Sequence, residues 1–138
     1  MDMKLELVIL PVTDVDRAKA FYERCGFDVD VDHAPNDQFR VVQLTPPGSS
    51  CSITIGKGVA PPGAGIVKGL HLIVTDIVAA RDELVGRGVD VSEPFHFGPE
   101  GQTPGVHPGR GKYETFANFE DPDGNGWILQ EVPAEGDG

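Results

Sequence analysis

Basic side chains are scarce in this chain of 138 residues, where 11 Lys and Arg stand against 22 Asp and Glu for a net charge of −11. Nucleic-acid binding needs a cationic surface that displaces counterions from phosphates, so that class of partner is set aside. The acidity is compatible with a cationic ligand, but charge of this kind also serves solubility alone. No stretch reaches the roughly 20 apolar residues of a membrane span, and the chain does not open on a basic segment followed by an apolar one. The expectation is a cytoplasmic protein with no membrane partner. Cysteine is limited to Cys25, at helical spacing with apolar neighbours, and Cys51, in a strand candidate. Both are expected as reduced, packed thiols. Missing too are a Gly-x-Ser-x-Gly nucleophile elbow, a Walker-type phosphate loop and a Gly-x-Gly-x-x-Gly placed between strand and helix.

What the chain does have is a repeat. Val12-Thr13-Asp14-Val15 recurs as Val74-Thr75-Asp76-Ile77, an offset of 62 residues that also superposes Ala18 on Ala80, Gly26 on Gly88, Asp28 on Asp90 and Val29 on Val91. Only two copies of such a length fit, so the pattern reads as duplication of one supersecondary unit instead of an open array.

Each copy opens on a short β-branched apolar run, over residues 5–12 and 70–74, that predicts a buried strand. A helix follows. Thr13-Asp14 and Thr75-Asp76 provide oxygen acceptors for the free N–H groups of a first helical turn, and the carboxylate suits the positive end of the helix dipole. Val15, Ala18, Phe21, Tyr22 and Cys25, like Ile77, Ala80, Leu84 and Val85, fall at helical spacing. Gly26 and Gly88 are placed to end the helices. Strand candidates then lie at 27–29, 39–45 and 51–55 in the first copy, and at 89–97, 113–119 and 127–132 in the second. The predicted fold class is therefore α+β, two tandem βαβββ units, expected over 1–56 and 67–133 with a linker at 57–66 and a tail at 134–138. Residues 98–112 interrupt the second copy and are expected to be a loop that covers a binding site, with His107 and Arg110 in it.

Asp121-x-Asp123-x-Asn125-Gly126 matches the first half of a calcium-binding EF-hand loop, but Val132 stands at its twelfth position and Trp127-Ile128-Leu129 reads as a strand. A tight hairpin turn is expected there. Trp127 is expected to pack into the core. His33, His96 and His107 fall on loops or strand ends, and none forms a two-histidine spacing on one element.

The paired Val-Thr-Asp starts, Phe21-Tyr22 before Cys25-Gly26-Phe27, and Glu120-Asp121-Pro122-Asp123-Gly124-Asn125 resemble the vicinal oxygen chelate superfamily, which includes glyoxalases, bleomycin-resistance proteins and dioxygenases. The resemblance spans nearly the whole chain and concerns fold more than activity. It implies cupped mixed sheets around a cavity, and a homodimer; the two units close on each other within one chain or pair across a two-fold. In the metal enzymes of that superfamily, ligands lie on the first strand of each unit and on the last strand. Counted from the helix-starting aspartates and from the turn, those places fall on Leu7, Gly69 and Ile128, with the fourth near Ser50 or Ser52. None of these is an imidazole, thiolate or carboxylate, so no metal and no cofactor is expected.

The expected function is metal-independent binding of a small aromatic or drug-sized metabolite. Leu7, Ile9, Ile73 and Ile128 would form apolar walls, and Arg40, His71 and Gln130 would be the polar groups that set orientation. The alternative is a glyoxalase-like lyase, isomerase or dioxygenase, cofactor-free or metal-dependent, in which His71 acts as acid or base and Arg40 or Gln130 steadies an oxyanion.

Overall fold

The computed structural model describes residues 1–135; of the tail expected over 134–138, residues 136–138 lie outside the described residues. Eleven elements follow in order: β1 (Leu7–Ile9), α1 (Val15–Arg24), β2 (Asp28–Asn36), β3 (Phe39–Thr45), β4 (Ser52–Lys57), β5 (Leu70–Val74), α2 (Ile77–Gly86), β6 (Phe95–Gly98), β7 (Gly101–Pro104), β8 (Thr115–Glu120) and β9 (Gly126–Glu131). They form two compact units. Met1–Val67 joins Asp121–Asn125 in the first, and Lys68–Glu120 joins residues 126–135 in the second.

Both helices begin and end by the same devices. Asp14 and Asp76 are extended caps whose carboxylates accept from Arg17 N in α1, and from Val78 N and Ala79 N in α2. At the other ends Gly26 and Gly88 take φ of +95° and +88°. Phe27 N then reaches back to Tyr22 O and Val89 N to Leu84 O, each at 3.0 Å, which satisfies carbonyls that the last turn leaves open. Apolar partners close each stop: the Tyr22 and Phe27 rings lie 5.3 Å apart, and Leu84 and Val89 are both buried.

In the first unit the sheet order is β1-β4-β3-β2, with β1 parallel to β4 and the rest antiparallel. Val42, Leu44, Ile53 and Ile55 form one buried face together with Ala18, Phe21 and Tyr22 of α1. The turn at Asp121–Asn125 belongs to this unit and is built around the Asp121 carboxylate. Asp121 Oδ1 accepts from Asp123 N and Asn125 N, and its Oδ2 from Tyr22 Oη at 2.7 Å and Asn125 Nδ2 at 2.8 Å. Those four donors occupy both Asp121 oxygens, while Asp123 Oδ1 accepts from Thr13 N and Oγ1 and Asn125 Oδ1 from Val67 N, so the turn reading accounts for the motif.

The second unit follows the order β5-β9-β8-β6-β7, with β5 parallel to β9. It departs from the sequence expectation in two ways. Residues 98–112 are not all loop, because Gly101–Pro104 pairs with Phe95–Gly98 and adds a fifth strand. Residues 89–94 form no strand; Val89 and Val91 are buried and mimic the alternation of one. In the first unit His33 lies within β2, away from its ends, whereas His96 is the second residue of the four-residue β6, near a strand end as expected. Cys51 immediately precedes β4, and no disulfide links the two cysteines. Trp127 is buried and stacks with Phe119, ring centroids 6.2 Å apart, as core packing requires. No helix among the described residues is long and apolar enough to cross a membrane.

Candidate functional site

Alternation along β9 separates two faces of the second sheet. Trp127, Leu129 and Glu131 are buried, and the Glu131 carboxylate caps α2 by accepting from Ile77 N at 2.9 Å, so this is the helix-covered face. Ile128 and Gln130 point the other way. Register carries that open face across the sheet. Ile73 lies opposite Gln130, Gln130 opposite Phe116, Phe116 opposite Phe95, and Phe95 opposite Pro104, one continuous transverse row. A parallel row runs His71, Ile128, Asn118.

The aromatic part of this face is a cluster. Phe95 and Phe116 stack with centroids 5.8 Å apart, and Phe97 meets both edge-on at 6.0 and 5.6 Å while remaining 58% exposed. Ile73 is 53% exposed. A cleft of about 340 Å³ opens beside the cluster, lined by Phe95, Pro94, Pro104, Gln102, Asn118, Ser92 and Glu93. Apolar rings with a few amide groups among them are the composition of a site for a small organic molecule. The strand reading placed three phenylalanines at 95, 97 and 116; their joint face follows only from the β6–β8 register, which no local pattern encodes.

Among the polar groups, His71 Nδ1 lies 2.7 Å from Gly69 O. A carbonyl only accepts, so the proton sits on Nδ1, and Nε2 of the neutral ring is left as an acceptor on an exposed side chain. Gln130 Nε2 donates to Tyr113 O at 3.4 Å. Tyr113 in turn belongs to a tightly held segment. Its N–H donates to Glu131 O, Gly105 N to Pro94 O, His107 N to Thr115 Oγ1, and Gly111 N to Glu114 Oε2, all between 2.8 and 3.1 Å. Arg110 clamps it: Nη2 and Nε reach the two oxygens of Glu131 at 2.7 and 3.2 Å. The guanidinium holds the Glu131 carboxyl below its ordinary pKa, opposed by burial and helped by the Ile77 N–H, and the Arg110 pKa rises in return. His96 and His107 pack edge to face at 5.3 Å, a pairing across the loop that their sequence positions did not suggest.

In the first unit, Leu7 and Ile9 lie opposite Ser52 and Thr54, on the face away from the one that Val42 and Leu44 bury against α1. Arg40 is not on that open face. It shares parity with Val42 and Leu44, donates through Nη1 to Asp16 of α1 at 2.7 Å, and grips Asp32 through Nε and Nη2 at 3.0 and 2.9 Å. Those bonds, with Lys19 beside them, hold Asp32 well below the usual carboxylate range. Thus His71, Ile73, Ile128 and Gln130 share one face of the second unit, Leu7 and Ile9 share one of the first, and Arg40 faces the opposite way. The register also corrects one position. Ile128 pairs with His71 and Thr54 with Ile9, each five residues before its cap aspartate, so Thr54 is the first-unit equivalent of Ile128, not Ser50 or Ser52. A hydroxyl replaces a hydroxyl there, which is no stronger a ligand type for a divalent ion. Among the described residues no group of three or more His, Cys, Asp or Glu is arranged to hold a metal.

Two strand-helix-strand units, each with a sheet covered by a helix on one side, define the class. The chain belongs to the Glyoxalase/Bleomycin resistance protein/Dioxygenase superfamily, whose family model matches residues 4–129. It is similar to TnmS3, an antibiotic binding protein from Streptomyces sp. CB03234, at 31% identity over 96% of this chain and 98% of that one, with a TM-score of 0.68. A glyoxalase/bleomycin resistance protein from the same Streptomyces is also 31% identical, covering 93% and 100% with a TM-score of 0.65. A superfamily member from Sphaerobacter thermophilus DSM 20745 reaches 27% identity over 94% and 98%, with a TM-score of 0.69. No curated protein sequence matches the chain.

Proposed function

We propose that this protein binds a small aromatic or drug-sized molecule and releases it unchanged, without a metal or cofactor, as a homodimer in the cytoplasm. The observation that carries the reading is the transverse row Ile73, Gln130, Phe116, Phe95, an apolar and aromatic strip interrupted by one amide. His71 Nε2, Gln130 and Asn118 supply the few hydrogen bonds that orient a ligand, and the rings supply affinity. The similarity to an antibiotic binding protein supports the class of ligand. The side chains at Leu7, Gly69, Ile128 and Thr54 support metal independence, because hydrocarbon, glycine and a hydroxyl give a divalent ion too little to hold.

The test is titration with N-phenyl-1-naphthylamine, an uncharged aromatic dye, and with bleomycin, followed by mass analysis of what is recovered and elemental analysis of protein purified without chelator. Saturable binding, an unaltered ligand and no stoichiometric metal are expected. Conversion of the ligand, or one transition-metal ion per chain, contradicts the reading.

One observation favours a second reading. The acceptor Nε2 of His71, fixed by the bond of Nδ1 to Gly69 O, is suited to take a proton from a ligand, which makes a metal-free isomerase or lyase the competing function. His71→Ala separates the two: a binder loses affinity only, and an enzyme loses turnover while binding persists.

A further inference from the structure

Among the described residues two non-glycine positions have positive φ, Arg110 at +44° and Tyr113 at +66°, and both lie in the segment that precedes β8. Side chains pay for this backbone conformation, and such residues persist only where their surroundings impose it. Arg110 shows its return in the clamp on Glu131. Tyr113 shows none within the described residues. Its ring is 58% exposed, its phenol makes no hydrogen bond there, and no aromatic partner faces it. The backbone alone is held, by Tyr113 N to Glu131 O at 2.8 Å and by Gln130 Nε2 to Tyr113 O at 3.4 Å. Glycine or asparagine would keep both bonds with less strain. What the strain retains is therefore the ring, on a residue whose carbonyl accepts from Gln130 of the transverse row.

We infer that Tyr113 is a ligand-contacting residue that sets the affinity for aromatic molecules on the open face of the second sheet, with Arg110 as the positioning residue that fixes its segment on Glu131. The inference rests on the reading of that face as the binding site. It commits Tyr113 to stacking on an aromatic ligand, and the 105–114 segment to a preformed rim, not a mobile cover.

The experiment titrates N-phenyl-1-naphthylamine into the wild-type chain and the variants Tyr113→Gly, Tyr113→Asn and Tyr113→Phe, and measures Tm for each. Gly and Asn are expected to weaken dye binding roughly tenfold while Tm holds or rises, and Phe to restore binding. Opposite movements of affinity and stability are what a residue with a purely structural role does not produce. If Gly and Asn bind the dye as wild type does, the inference fails and the binding face stands. If both variants lose Tm or fail to fold, Tyr113 is structural and the inference fails. If the wild-type chain shows no saturable binding, the face and the inference fall together.

Discussion

Glu131 is fully buried yet ionised, because a guanidinium and a helix N–H face its two oxygens. Its folded pKa is depressed, so the stabilisation is present above the unfolded value and disappears as pH falls through the ordinary carboxylate range toward the folded one. Glu131→Gln should cost about 2–3 kcal/mol at neutral pH by leaving Arg110 and Ile77 N poorly paired, and should flatten the acid limb of stability against pH; urea denaturation at several pH values measures both. Tyr22→Phe removes one donor from the buried Asp121 carboxylate, for a loss of about 1–2 kcal/mol in the same assay. Residues of this kind were only half legible. The sequence places His71, Ile73, Ile128 and Gln130 on one face because alternation within a short strand is a local rule. Arg40 was assigned to the ligand, but its parity with Val42 and Leu44 and the carboxylates of Asp16 and Asp32 take it to the helix side. The Phe95, Phe97 and Phe116 cluster escaped notice since it depends on which strands are neighbours.

Elements were read most securely where a local chemical signal marks them. Cap aspartates and terminating glycines predict both helices, and the duplicated Val-Thr-Asp starts place the strands before them. Gly88, at φ +88°, should lose about 1 kcal/mol on change to Ala, whereas Gly86, inside α2 with open space at its Cβ position, should gain up to about 0.5–1 kcal/mol. Thermal unfolding of the two single variants gives opposite signs if the stop is built as described. Strand β7 carries no such signal. Gly101-Gln102-Thr103-Pro104 has no apolar alternation and Thr103 as its one β-branched residue, and it becomes a strand only because β6 offers its edge. Buried valines at 89 and 91 produce the opposite error, an apolar alternation without a ladder.

At the scale of the whole molecule the duplication, the acidic charge and the superfamily membership agree, and they leave the ligand to be set by side chains on the sheet faces. Homodimer formation is a prediction at this scale: light scattering after size exclusion should give twice the 14.7 kDa chain mass. The central claim is that the open face of the five-stranded sheet receives an aromatic molecule. An amide chemical-shift map recorded with saturating N-phenyl-1-naphthylamine tests it most directly. The account predicts that the largest shifts fall on Ile73, Phe95, Tyr113, Phe116 and Gln130. Shifts confined to α1, α2 and the Arg40 side of the first sheet, with those five unmoved, would contradict it.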